Sequence, residues 1–334
     1  MRVKKIAIIG SNSFSGSHCV DYFLKNTDFK VLGLSRSPEK SAVFLPYLYK
    51  KQRPQASRFS FYQLDLNKDL DKIIKIFDKE KPEVIINFAA QSIVEVSWQR
   101  SEDWFRTNTL AIVNLTNRLK DRSYLKKYIQ ISTPEVYGSY KGDENPNYFN
   151  PSTPYAASKG AGDLFLITLF KKFNFPVSFV RSANVYGPHQ QLFKIIPKSI
   201  VLIKKGQKIP LHQGGLISRS FIHIEDVIRG IHKIISKGQP GEVYHFSSEK
   251  NIMIKDLVSL VCRKMGVNFN DSVEISAGRP AQDATYKLNF VNTAKRLNWK
   301  PKVKLEKGVD EVIKWINDSW SEIQKHPIKY IHKK

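Results

Sequence analysis

The feature that most narrows the folds open to this chain is an apolar run, Lys5 to Ile9, leading straight into Gly10-Ser11-Asn12-Ser13-Phe14-Ser15-Gly16, with a helical pattern behind it. A short isoleucine-rich run reads as a buried strand, and glycine lets the chain turn sharply out of it. Strand, glycine turn and helix N-terminus, in that order, make the corner where backbone N–H groups meet a dinucleotide pyrophosphate. Taken alone, such a turn also serves any tight strand-to-helix connection, so its meaning depends on the rest of the chain.

The same rhythm recurs downstream. Further strands are expected at Lys30 to Leu34, Phe59 to Leu64, Val84 to Phe88, Tyr128 to Ser132 and Val177 to Arg181. Helices are expected at Ser15 to Lys25, Leu70 to Lys79, Ser101 to Leu119 and Pro154 to Phe173. This alternation predicts an α/β fold, a Rossmann-type doubly wound parallel sheet. After Tyr186-Gly187-Pro188 the elements shorten, punctuated by Gly214-Gly215, Gly241 and Gly278-Arg279-Pro280. Residues 1–182 are therefore read as the dinucleotide-binding domain with the catalytic residues. Residues 183–324 are read as a smaller α/β substrate-binding region, free to return to the Rossmann sheet, and 325–334 as a basic, mobile tail.

Composition excludes other classes. With 334 residues, 41% of them hydrophobic, the chain has ample material for a core. Its 2 cysteines, Cys19 and Cys262, supply neither a disulfide framework nor a Cys-rich zinc site, and point to a reducing cytoplasm. The 8 histidines lack metal-ligand spacing, so no metal is expected. The apolar stretch Ile6 to Ile9 is too short for an export signal, and no run approaches the roughly 18 residues of a membrane span, so a soluble protein without a membrane partner is expected. The net charge of +24 would attract polyanions. Its lysines are scattered singly or in pairs, which favours a solvated Lys-rich surface over a specific nucleic-acid partner.

About 20 residues beyond the glycine turn, where an NAD enzyme often carries an acid for the ribose hydroxyls, this chain has Ser35-Arg36-Ser37. An arginine between hydroxyls suits a 2′-phosphate, so NADP is expected ahead of NAD; an ordinary surface arginine is the alternative, and Glu39 is close by. Asp65, followed by Leu66, suits the adenine amino group or a helix cap.

Tyr155 and Lys159 stand four residues apart at the start of an expected helix and share one face. A tyrosine with a free pKa of about 10 is a poor base at neutral pH, but a neighbouring ammonium and a nicotinamide cation both favour its phenolate, so Tyr155 and Lys159 are expected at the cofactor too. Ahead of them, Thr133-Pro134-Glu135 comes directly after a strand. Thr133 suits a sugar hydroxyl and Glu135 suits a carbon-bound proton, unless the segment is simply a strand-to-loop turn.

With these residues in view, the chain resembles the extended short-chain dehydrogenase/reductase superfamily, and within it the nucleotide-sugar 4,6-dehydratases. The likeness extends over nearly the whole chain. Asn87-Phe88-Ala89-Ala90 is similar to the family's motif under the cofactor, and Thr107-Asn108 to its structural Asn. Arg181 to Pro188 with Ile196-Pro197 resembles the substrate loop, Ser218 to Asp226 the strand bearing a diphosphate-contacting arginine, and Gly278-Arg279-Pro280 with Asp283 a nucleotide-binding loop. The resemblance implies substrate-diphosphate contacts from Asn184, Arg219 and Arg279, a tightly held cofactor and a homodimer through the helices after Ser101 and Pro154, with Leu164, Phe165, Thr168 and Leu169 as candidate contacts. Structural salt bridges are the alternative for both arginines, and a core-facing stripe for the helix residues.

Three departures stand out. Ser13 replaces the family's second glycine, Ile9 its frequent threonine, and Pro134 the acid that dTDP-glucose dehydratases place before the glutamate, which weighs against dTDP-glucose itself. The implied activity converts a nucleoside-diphosphate hexose to its 4-keto-6-deoxy form. Tyr155 takes the C4 hydroxyl proton; Glu135 takes the C5 proton and passes it to the departing C6 oxygen. A C4-epimerase, a UDP-glucuronate decarboxylase, and a non-catalytic cofactor-sensing or RNA-binding module are the rivals.

Overall fold

Apolar strands that must be covered on both faces set the architecture. The computed structural model describes residues 3–49, 57–139, 148–276 and 288–332. Twelve strands are described: β1 (Lys5–Ile9), β2 (Lys30–Ser35), β3 (Phe59–Gln63), β4 (Val84–Asn87), β5 (Lys127–Ile131), β6 (Val177–Ser182), β7 (Asn184–Tyr186), β8 (Ile209–His212), β9 (Ser218–His223), β10 (Val243–Phe246), β11 (Asn251–Met253) and β12 (Val273–Ser276). Seven form one parallel sheet in the order β10-β6-β5-β4-β1-β2-β3. The expected Rossmann-type sheet is thus present, and β10 brings the second half of the chain back to its edge.

Helices α1 (Phe14–Asn26), α2 (Leu70–Glu80), α3 (Val94–Gln99), α4 (Ser101–Phe105), α5 (Ala111–Leu119) and α6 (Pro154–Phe173) belong to the first half. The second half carries α7 (Ile195–Lys204), α8 (Ile224–Lys237), α9 (Ile254–Lys264), α10 (Phe269–Ser272), α11 (Val291–Leu297), α12 (Leu305–Asp318) and α13 (Trp320–Ile323). One face of the sheet is covered by a core from α1, α8 and α11, including Phe23, Ile231 and Leu297. The other is covered from α2, α5 and α6, including Phe77, Leu115 and Leu166. Two-sided burial is why these strands read as near-continuous apolar runs. A third core joins α7, α9 and α12 beside the sheets β11-β9-β7 and β12-β8.

The helix expected over Ser101 to Leu119 is interrupted. Arg106–Leu110 forms a π-turn between α4 and α5, and Asn108 is buried within it. The extra residue per turn swings Asn108 inward, where its Oδ1 accepts the Gln91 N–H at 2.9 Å. Its Nδ2 donates to the Gln91 carbonyl at 2.9 Å and to Ser158 Oγ at 3.0 Å. Such bulges arise where a side chain must be re-aimed. Among the described residues no helix is long and apolar enough to cross a membrane.

Candidate active site

Register brings Ile9 level with Leu34 on one side and Asn87 on the other, so the chain leaves β1, β2 and β4 at one edge. Strand order reverses between β1 and β4, which opens a crevice there. A groove of about 570 Å³ occupies this place. Gly10, Asn12, Ser13, Phe14, Ser35 and Arg36 line it from one side, and Asp65, Leu66, Phe88, Ala89 and Ala90 from the other.

Gly10 has φ +81, and a Cβ there would lie 2.9 Å from the Ala89 backbone nitrogen, so only glycine permits this approach. Ser13 needs no such freedom. At φ −73 and ψ 167 it is the N-cap of α1 and accepts the Gly16 N–H at 3.1 Å, so the departure from the family's second glycine leaves the turn intact. Asn12 locks the turn to the end of β2: its N–H donates to Ser35 Oγ at 3.1 Å and its side chain to the carbonyls of Ser37 and Pro38. Ser11 lies underneath, its Oγ 3.5 Å from Ser35 Oγ. Ser11, Ser15, Gly16, Asn108, Tyr155 and Lys159, all expected at the cofactor, do not line the groove. Gly16 packs on the Gly10 carbonyl, Ser15 sits in the first turn of α1, and Asn108 anchors the loop after β4. Asp65 lines the groove and is no helix cap; its Oδ1 accepts the Asn67 N–H at 2.8 Å in a local turn. Glu39 accepts the Tyr47 hydroxyl at 2.9 Å and is not a lining residue. The bare Gly10 approach and the helix N-terminus behind it fit a dinucleotide.

Helix α6 starts with Pro154 at its first position and Thr153 as cap, accepting the Ala156 N–H at 3.1 Å. Tyr155, Lys159 and Asp163 then come at four-residue steps. The Tyr155 N–H donates to Ser97 Oγ at 3.2 Å. Lys159 is 2% exposed and its ammonium donates to the Ile131 carbonyl at 2.7 Å. Burial pushes Lys159 down to about 8, while Asp163 pulls it back up. Asp163 Oδ2 accepts from Ser132 Oγ at 2.5 Å and from Arg181 at 2.9 Å, with both members of the ion pair fully buried. The guanidinium lies 4.6 Å from the centre of the Tyr137 ring, whose hydroxyl donates to His245 Nε2 at 2.7 Å. Sequence reasoning missed Asp163; its signal was a third step on the ladder that marked Tyr155 and Lys159.

Thr133 caps the 3-10 turn Pro134–Tyr137, its Oγ1 accepting the Glu135 N–H at 3.3 Å. Proline at the first position of this turn needs no donor. The segment is thus a turn, and Glu135 on it lines a second cavity of about 580 Å³ together with Asn184 and Arg219. Asn184 donates to the Ser220 carbonyl at 3.1 Å and Arg219 to the Ser218 carbonyl at 3.0 Å. Thr133, Tyr155 and Lys159 are buried and line neither cavity; in sequence Thr133 and Tyr155 each stand two residues from a wall residue, Glu135 and Thr153. Arg279 lies outside the described residues. Glu95, Lys194 and Lys198 also line the cavity and had no signal in local spacing. The two cavities share Ser92, Ile93, Phe193, Lys329 and Tyr330. Among the described residues no group of His, Cys, Asp and Glu is placed to hold a metal.

The family model described as GDP-mannose 4,6 dehydratase matches residues 8–312. A dTDP-D-glucose 4,6-dehydratase of Mus musculus is 29% identical over 322 residues, 93% of this chain and 88% of that protein. The structure of a dTDP-glucose 4,6-dehydratase from Streptomyces venezuelae with NAD bound superposes with a TM-score of 0.85 at 25% identity, covering 96% of this chain and 99% of that one. A UDP-glucuronic acid 4-epimerase from Bacillus cereus, 24% identical, shares the fold with a TM-score of 0.84 over 94% of this chain and 99% of its own.

Proposed function

This chain belongs to the GDP-mannose 4,6-dehydratase family, and from that premise we propose that it is a nicotinamide-dependent lyase removing water from a nucleoside-diphosphate hexose to leave the 4-keto-6-deoxy sugar. The observation that carries the reading is Glu135 in the wall of the cavity that holds Asn184 and Arg219, together with Thr153, the cap of the helix that carries Tyr155 and Lys159. An epimerase has no task for that carboxylate.

Gly10 and the start of α1 would hold the pyrophosphate, with Asp65 and Leu66 at the adenine end and Phe88 to Ala90 along the crevice floor. Reversible oxidation at C4 and reduction at C6 are the chemistry a bound nicotinamide supplies. Tyr155, kept towards phenolate by the Lys159 ammonium, accepts the C4 hydroxyl proton. Thr133 hydrogen-bonds the sugar at the same oxygen. The C4 carbonyl acidifies C5, and Glu135 accepts the C5 proton. Because Pro134 has no acid to give, the protonated Glu135 donates to the leaving C6 hydroxyl, which departs as water, and the proton taken up by Tyr155 balances the one that C5 regains when C6 is reduced. Asn184 and Arg219 hold the substrate diphosphate, the arginine through its fork of donors.

Arg36 and Lys40 in the groove, with Glu39 turned to Tyr47, favour NADP over NAD. The buried thiols of Cys19 and Cys262 suit a reducing cytoplasm. A second copy is the proposed partner, through helices α4 to α6.

The test is mass spectrometry of the protein incubated, without reductant, with UDP-, GDP-, CDP- and dTDP-hexoses and UDP-glucuronate, in the presence of each cofactor. Loss of one water from a hexose is expected, with Glu135→Gln retaining cofactor while turnover falls roughly 10²–10⁴-fold. Undiminished turnover of that variant, or loss of carbon dioxide from the glucuronate instead, would overturn the reading.

A further inference from the structure

The last described residues do not run free into solvent. They form part of the wall of both cavities. Lys329 and Tyr330 belong to the wall of each, and His326, Pro327 and Ile331 add to the wall of the dinucleotide groove. The segment is held at both ends and in the middle. At its start, His326 lies edge-on to Phe44 with ring centres 4.9 Å apart, and its Nε2 is 3.1 Å from Glu322 Oε1. In the middle, Ile328 packs against the core of the substrate region, and Tyr330 meets Phe193 edge-on at 5.4 Å. Beyond the groove, His332 stacks on the buried Trp104 ring, centres 5.6 Å apart and planes 13° apart. His332 Nε2 is 3.4 Å from Asp103 Oδ2, and its Nδ1 is 3.1 Å from the Tyr330 hydroxyl.

The segment therefore joins α4 of the first half to α13 of the second along the wall of the crevice. Its middle lies near Arg36, whose charge acts on the Tyr330 phenol. The match to the family model ends at residue 312, so the segment is not part of what that match describes.

We propose that residues 326–332 are a strap that retains the dinucleotide, with Tyr330 and Lys329 as binding residues at the junction of the two cavities and His332 as the positioning residue that pins the strap to α4. The proposal rests on the reading of the groove as a nicotinamide site. A cofactor that is oxidised and restored within each turnover has no need to exchange, so a wall over its exit does not impede the cycle. A rigid wall slows release more than it adds contact area, since most affinity differences within one site appear in the dissociation rate.

The experiment measures release of bound NADPH from the full chain, by the decay of its fluorescence on adding excess NADP, for the parent, Tyr330→Ala and His332→Ala, with the Tm of each cofactor-free protein alongside. Both variants should release NADPH at least about tenfold faster at an unchanged Tm, and His332→Ala should do so although His332 does not touch the groove. Release within twofold of the parent for either variant overturns the strap. Faster release accompanied by a lowered cofactor-free Tm also overturns it, because the effect is then general destabilisation. A parent that binds neither NADPH nor NADH overturns the proposed function itself, which separates the two failures.

Discussion

Lys159 is the side chain whose environment says most about its task. Burial takes it down to about 8, and its ammonium rests on the Ile131 carbonyl two residues before Thr133. Since Tyr155 depends on that positive charge, turnover should fall as the pH rises through about 8 and Lys159 loses its proton. Asp163 is the group that raises Lys159. In Asp163→Asn the falling limb of kcat/KM should move to lower pH, and the buried Arg181 loses its carboxylate, at a cost of roughly 3–5 kcal/mol in a urea melt. A limb that stays in place would show that Asp163 serves packing alone. Tyr155 and Lys159 were singled out because a four-residue step puts them on one helix face, and Glu135 because it follows directly on a strand end. Asp163 was not singled out, since its partners come from distant segments, Ser132 from the residue after β5 and Arg181 from β6.

Among the elements, β1 to β6 were read to within a residue, most of them because burial on both faces leaves an apolar run, whereas β7 to β12 were not placed individually. The helix over Ser101 to Leu119 was read without its π-turn, for the turn is set by the Gln91 backbone, 17 residues away. The candidate dimer contacts divide. Leu164 and Thr168 face outward, while Leu169 and Phe165 belong to the core of the sheet's second face. On the neighbouring α4 and the π-turn, Phe105 and Leu110 are also exposed, at 40% and 53%. Large apolar side chains left uncovered on adjacent helices suit a second copy of the chain. The solution mass should be that of two chains, and Leu110→Glu should lower it towards one; a parent with the mass of one chain removes this assignment.

At the scale of the whole molecule, three histidines are held neutral, His189 and His245 buried and His18 half-buried. Burial pushes His18 down to about 3 and His189 and His245 to about 4. Each donates from one ring nitrogen to a carbonyl: His18 to Pro188 at 2.9 Å, His189 to Val43 at 2.7 Å and His245 to Asn289 at 3.1 Å. The unfolded chain takes up these protons below about pH 6.5 and the folded chain only near 3 to 4. Stability is therefore fully present above pH 6.5 and is lost as the pH falls, by roughly 1–2 kcal/mol per histidine at pH 5. Tm should drop steadily between pH 7 and 5, and a flat Tm over that range would show that these rings protonate in place. None of this was legible from spacing, because each carbonyl comes from a distant element or a loop. By itself the sequence determined the parallel sheet, the glycine corner and the Tyr155–Lys159 face, because these arise from local periodicity and from burial that a single segment records. Only the tertiary structure decided that Glu135 shares a cavity with Arg219, that Asp163 backs Lys159, and that His326, Pro327, Lys329, Tyr330 and Ile331 line the crevice. Those contacts join segments tens to hundreds of residues apart, and no local pattern encodes which distant surface a side chain will meet.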